Sequence, residues 1–254
     1  MRKISLFAFL FSILMAPKLS IAAAPPALDG VHRIVCLGDS ITQFGDGPGG
    51  YVWLFRHFLQ HLYPSQNIEV INAGISGNKS DQMLARFQHD VLDPQPDMIT
   101  ISCGVNDVWH GFYDNHPNGD GPRGIKLPEY TANIEKMIDM ALAKHVKVVL
   151  LSTTVIYENY DSPENIKLKS YNAALKQLAH KYKLLFIDFQ PVYWKILNAY
   201  HSTGASINLL TVDGVHMNPA GNQLMAHVIL DGLGIPIADQ RSVEKSVDQD
   251  KSTP

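Results

Sequence analysis

Short apolar runs alternate along this chain with longer segments of helical period. Val31–Leu37, Ile68–Asn72, Asp97–Cys103, Val146–Thr153 and Leu184–Asp188 have strand length and apolar character. Between the first two, Tyr51–Leu62 places Val52, Leu54, Phe55, Phe58, Leu59 and Leu62 at helical spacing and stops before Pro64. A second helix is expected from Ser80 or Asp81, either of which can cap it, to about Leu92. Pro128–His145, Pro163–Tyr182 and Pro219–Leu230 each begin on a proline, which suits a first helical turn. A shorter helix is expected over Val192–Asn198, and Val108–Leu127 reads as an irregular loop. Five strands separated by helices predict a parallel sheet covered on both faces, a three-layer α/β/α sandwich. No linker or repeat divides residues 25–238, which read as one domain.

The two ends break the pattern. Arg2 and Lys3 precede the nearly all-apolar Ile4–Ala16, and Ser20–Ala24 supplies small residues for cleavage. Residues 1–24 therefore read as a signal peptide, the apolar run being short for a membrane span. The expectation is an exported protein, periplasmic or secreted, with no stable membrane insertion once the leader is removed. Residues 239–254 are polar without an apolar period and are expected to be a disordered tail.

Composition changes this picture little: 46% hydrophobic and 18% charged residues are ordinary for a globular chain. Loss of the leader would leave 18 basic against 24 acidic residues, a net charge of −6, which argues against nucleic acid as a partner. Export permits a disulfide between Cys36 and Cys103. Both close strand-like runs, however, so two buried free thiols are the favoured reading.

Candidate chemistry gathers at four loops: Gly38-Asp39-Ser40, Gly74-Ile75-Ser76-Gly77-Asn78, Gly104-Val105-Asn106-Asp107 and Asp213-Gly214-Val215-His216. In an open parallel sheet, loops at the strand C-termini line the ligand crevice. Each loop alone is an ordinary turn or cap. Together they supply every part of an acyl-transfer site. Ser40 is the candidate nucleophile, and a serine needs a base within reach. His216 is the candidate base, with Asp213 three residues earlier to fix its tautomer. The backbone N–H groups of Ser40 and Gly77 and the side-chain amide of Asn106 are the candidate oxyanion donors. A glycine at 77 would let the backbone approach a substrate closely.

On these residues the chain resembles the GDSL-type esterases of the SGNH hydrolase superfamily. Leu37–Thr42, Asn72–Asn78, Gly104–Asp107 and Asp213–His216 match its four blocks in order, and the likeness spans about residues 31–231. The resemblance implies a flavodoxin-like strand order 2-1-3-4-5, ester hydrolysis through an acyl-enzyme, and no cofactor. It places Gly77 and Asn106 at the oxyanion positions. Acetyl or short-chain esters, on carbohydrate or on small molecules, are the expected substrates. A lipid acyl hydrolase of lysophospholipase or thioesterase type is the alternative enzyme, and a carbohydrate-binding protein on an esterase fold the non-enzymatic one.

Other motif matches fail. Ser76–Lys79 fits S-x-x-K, but the accompanying K-T-G is absent. Gly45–Gly50 does not directly join a strand to a helix, as a dinucleotide loop must. Thr42 stands where an α/β-hydrolase elbow needs glycine. His110, Asp114, His116 and Asp120 invite a metal, but Ile125 occupies the twelfth position of the calcium-like stretch, so no metal site is expected. The same loop should overhang the pocket. Asp39, Trp109, His110, Phe112 and Tyr113 are therefore the substrate-pocket candidates.

Overall fold

A computed structural model describes residues 24–201 and 208–241. The expected leader, apart from Ala24, and residues 242–254 of the expected tail lie outside the described residues. Five strands form one parallel sheet in the order 2-1-3-4-5. They are β1 (Arg33–Gly38), β2 (Glu69–Gly74), β3 (Met98–Ser102), β4 (Lys147–Leu151) and β5 (Leu185–Ile187). Ile34–Leu37 and the whole of β3 are buried, as a sheet covered on both faces requires.

The helices are α1 (Ser40–Phe44), α2 (Tyr51–Leu62), α3 (Ser80–Phe87), α4 (Val105–Trp109), α5 (Leu127–Leu142), α6 (Pro163–Tyr182), α7 (Gln190–His201) and α8 (Pro219–Gly232). Helices α2 and α8 pack together on one face, and α3, α5 and α6 form a row on the other. The apolar stripe of α2 explains its docking: Val52, Leu54, Phe55, Phe58 and Leu59 are all buried. Each such side chain contributes roughly 1.5–3 kcal/mol of burial free energy.

Strand β1 has β2 on one side and β3 on the other, so the chain reverses direction across the sheet there. In open parallel sheets a ligand crevice forms at such a reversal, outside the carboxyl ends of the strands. Ser40 follows that end, and the loops after β2 and β3 leave on either side of it.

Some local expectations change. Neither Ser80 nor Asp81 caps α3; Lys79 is its N-cap, and the Ser80 N–H donates to the Asp107 carboxylate at 2.9 Å. After Phe87 the chain continues as one wider π-type turn, Gln88–Leu92. The supposed irregular loop begins inside α4 and continues into a 3₁₀ turn, His110–Phe112. Residues 239–241, expected in the disordered tail, are helical, and Gln240 is buried. Cys36 and Cys103 are buried free thiols, and burial pushes Cys36 up to about 11.

Candidate active site

Ser40 is the first residue of α1. The Asp39 carboxylate caps that helix by accepting the Ile41 N–H at 2.9 Å. Behind it, the Thr42 and Tyr51 hydroxyls share a buried hydrogen bond of 2.8 Å. The nucleophile candidate therefore sits on a short helix fixed at both sides rather than on a free turn.

His216 arrives from the loop before α8. Its Nε2 lies 2.9 Å from Ser40 Oγ and its Nδ1 2.6 Å from Asp213 Oδ2. With the proton on Nδ1, Nε2 accepts from the serine hydroxyl. The other Asp213 oxygen accepts the backbone N–H groups of Val215 and His216, at 3.0 and 2.8 Å. Burial pulls the Asp213 carboxyl upward, but these bonds and His216 outweigh it and hold it below the ordinary carboxylate range.

The loop after β2 is a tight turn closed by Asn78 N–H to Ile75 O, 3.1 Å. Its third residue, Gly77, has φ +77°, which explains the glycine. A Cβ there would meet no protein atom within 4 Å, so conformation, not crowding by the protein, requires it. Asn106, buried on α4, donates through Nδ2 to Asn78 O at 3.1 Å and, in a longer contact, to Asp39 Oδ2 at 3.4 Å. Asp107 beside it accepts the Ser80 N–H, so one α4 turn holds both ends of the Asn78–Lys79 segment.

The pocket candidates separate. Asp39 is 3% exposed; its carboxylate caps α1 and accepts the long contact from Asn106. Burial pushes its carboxyl up to about 6. Phe112 is partly buried against the core, as loop packing. Trp109, His110 and Tyr113 form an aromatic cluster, with Trp109 Nε1 donating to Tyr157 OH at 2.8 Å. Burial, then the charges of Lys79 and Arg123, lower the His110 pKa. Arg123 lies over the Tyr113 ring and close to the exposed Asp114. Among the described residues no group of three or more His, Cys, Asp or Glu side chains can hold a metal ion.

Sequence reasoning missed several neighbours. Phe44, 61% exposed, lies with its ring 5.4 Å from that of His216. Arg86 donates to Asn78 Oδ1, Asp90 Oδ2 and the Gly38 carbonyl, tying the Gly77 turn to the end of β1. Tyr157 and Glu158 meet the His216 loop. Apart from Arg86 and Asp90, these partners lie 8 to 172 positions apart in the chain, so no local motif marks them. An apolar residue at 44, where the α1 segment runs out into the Gly45–Gly50 loop, was the one signal available.

The profile of the GDSL-like lipase/acylhydrolase family matches residues 36–224, which include all four loops. The chain belongs to that family. This GDSL-type protein is a carboxylic ester hydrolase, as its named relatives are. It is 30% identical over 219 residues to an acetylxylan esterase of Geobacillus stearothermophilus, covering 80% of this chain and 94% of that one. An isoamyl acetate-hydrolyzing esterase of Saccharomyces cerevisiae is 22% identical over 220 residues, covering 78% and 84%. The crystal structure of the Geobacillus acetylxylan esterase superposes with a TM-score of 0.71 at 28% identity, over 81% of this chain and 95% of that one. Catalytic mutants of that enzyme carry alanine for a serine, an aspartate or a histidine.

Proposed function

We propose that this protein is an exported serine esterase that removes acetyl or other short acyl groups from carbohydrate. The observation that carries the reading is the continuous chain from Ser40 Oγ to His216 and on to Asp213, at 2.9 and 2.6 Å. His216 takes the Ser40 proton as the oxygen attacks the ester carbonyl. Asp213 holds the imidazole in the required tautomer and stabilises it when charged. The N–H groups of Ser40 and Gly77 and the Asn106 amide receive the oxyanion. For Asn106 the hydrogen available is the one in the long contact to Asp39. The imidazolium then protonates the leaving alcohol, and water, activated by His216 in turn, releases the acyl group from Ser40.

Two features support the short-acyl carbohydrate substrate. The rim is open: Phe44, Val212 and Tyr157 are exposed, which offers a sugar ring apolar faces and a long acyl chain little enclosure. The Geobacillus relative is an acetylxylan esterase. Its catalytic aspartate and histidine stand three positions apart, as Asp213 and His216 do. Export rests on the leader-like residues 1–24. Among the described residues no helix is long and apolar enough to cross a membrane.

The test is acetate release from acetylated xylan, beside rates on p-nitrophenyl esters of rising chain length. Acetate release and a preference for the shortest chains are expected; a clear preference for long chains would favour the lipid acyl hydrolase. Ser40→Ala should abolish turnover in both assays. A Ser40→Ala variant of undiminished activity would remove Ser40 as nucleophile. Ligand binding without turnover by the unmodified protein would favour the carbohydrate-binding alternative.

A further inference from the structure

Glu158 is 1% exposed, and among the described residues no Lys, Arg or His forms an ion pair with it. Its carboxylate instead collects four donors from one short segment. Oε2 accepts the Leu209 N–H at 2.8 Å. Oε1 accepts the Leu210 N–H at 2.8 Å, and the Thr211 N–H and hydroxyl at 2.7 Å each. Three successive backbone N–H groups converging on one anion make a nest around it. Both oxygens act as acceptors, which a carboxylate serves and a carboxamide does not.

That segment leads directly into the loop of Asp213 and His216. Thr211 Oγ1 passes the connection on by accepting the Gly214 N–H at 3.2 Å. The loop has little regular structure of its own: an isolated Thr211–Met217 bridge and a Val212 N–H to His216 O bond. Tyr157, just before Glu158, adds a 2.7 Å bond from its N–H to Gly214 O. Tyr157 and Glu158 both adopt left-handed backbone, φ +63° and +45°. Two consecutive non-glycine residues in that region are strained, and such strain persists only where surrounding contacts over-determine it.

We propose that Glu158 is a positioning residue for the reaction. Its buried carboxylate clamps Leu209–Thr211 and so sets the place of Asp213 and His216 against Ser40. It touches no reacting atom. The inference rests on the roles proposed for Asp213 and His216, but it can be read without turnover.

The experiment compares the unmodified protein with Glu158→Gln, which puts an amide N–H₂ against backbone N–H donors. Two quantities are measured: kcat and KM on p-nitrophenyl acetate, and the downfield proton resonance of the His216 Nδ1–H···Asp213 bond by NMR. Displacing a base by an ångström costs about 10²-fold in rate. The expected result is a kcat fall of that order with KM nearly unchanged, and a lost or weakened resonance at a temperature where the variant is folded. A folded variant with kcat and resonance both intact would overturn the proposal. So would a reduced kcat with an unmoved resonance. If Glu158→Gln does not fold, Thr211→Val decides. It keeps the three backbone bonds and removes the hydroxyl link, and should lower kcat about tenfold with the same change in resonance. An unmodified protein without esterase activity would sink the proposed function and leave the resonance comparison to judge Glu158.

Discussion

At the scale of single residues, two buried polar side chains of α4, Asn106 and Asp107, brace the site. Asn106 holds the Gly77 turn through Asn78 O and presents the same amide nitrogen toward Asp39, the residue before Ser40. Removing one oxyanion donor costs about 10²–10³ in kcat. Asn106→Ala should show a loss of that size with KM little changed, in steady-state rates on p-nitrophenyl acetate; a loss confined to KM would mean that the amide only binds the ground state. Asp107 offers a test of electrostatics. Burial pushes its carboxyl from 3.8 to about 6, so between those values the folded protein holds a proton that the unfolded chain has lost. Stability from this group is therefore present below about pH 4 and drains away as pH rises toward and through 6, by on the order of 3 kcal/mol. Asp107→Asn keeps an oxygen for the Ser80 N–H and has no such slope. Urea unfolding at pH 4.5, 6 and 7.5 should show the variant gaining on the parent as pH rises. Parallel curves would mean that Asp107 stays ionised throughout.

At the scale of elements, the candidate site loops are held by close approach between α1 and the end of β2. Asn72 Nδ2 donates to Thr42 O, and the Ser76 N–H donates to Gln43 Oε1. The backbones meet at Gly74, where a Cβ would fall 2.2 Å from Gln43 N. Nothing flexible can yield there, so Gly74→Ala must push α1, and Ser40 with it, away from the sheet. Gly77→Ala meets no protein atom, and its left-handed backbone costs about 1–2 kcal/mol. The two substitutions should separate cleanly. Gly77→Ala should fold, with a Tm lower by a few degrees, and still be labelled at Ser40 by a phosphonate. Gly74→Ala should lose about 10²-fold or more in labelling rate. Equal effects would contradict the packing described. The four loops were legible beforehand because each candidate residue lies next to its own turn in sequence. The turn glycines were legible as glycines, but the reasons were not. The α1–β2 contact at Gly74 joins residues some 30 positions apart, and that distance carries no periodic signal.

For the whole molecule, the sheet order and the site are one fact. Reversal of the chain at β1 is what brings loops from β2 and β3 to opposite sides of Ser40, and the alternation of apolar runs and helical periods already implied a sheet of this class. What the pattern could not carry were anchors made by isolated polar residues: Glu158, Arg86 and, at the β5 edge of the sheet, Gln240. The last stands in a stretch without apolar period, yet it is 1% exposed. Its amide donates to Ile235 O at 2.8 Å, and its Oε1 lies 2.6 Å from His227 Nδ1 on α8. It closes one wall of a cavity of about 500 Å³ lined by Ile187, Leu224 and Val228, which shares no residue with the Ser40 cluster. Gln240→Ala should therefore cost stability without touching chemistry. Loss of buried hydrogen bonds of this kind amounts to about 1–3 kcal/mol. Urea unfolding should show that drop while kcat on p-nitrophenyl acetate stays at the parent value. Unchanged stability would put the end of the folded domain before residue 239, where the composition alone had placed it. A fall in kcat would instead show that α8 passes strain from this edge of the sheet to His216, just before its first turn.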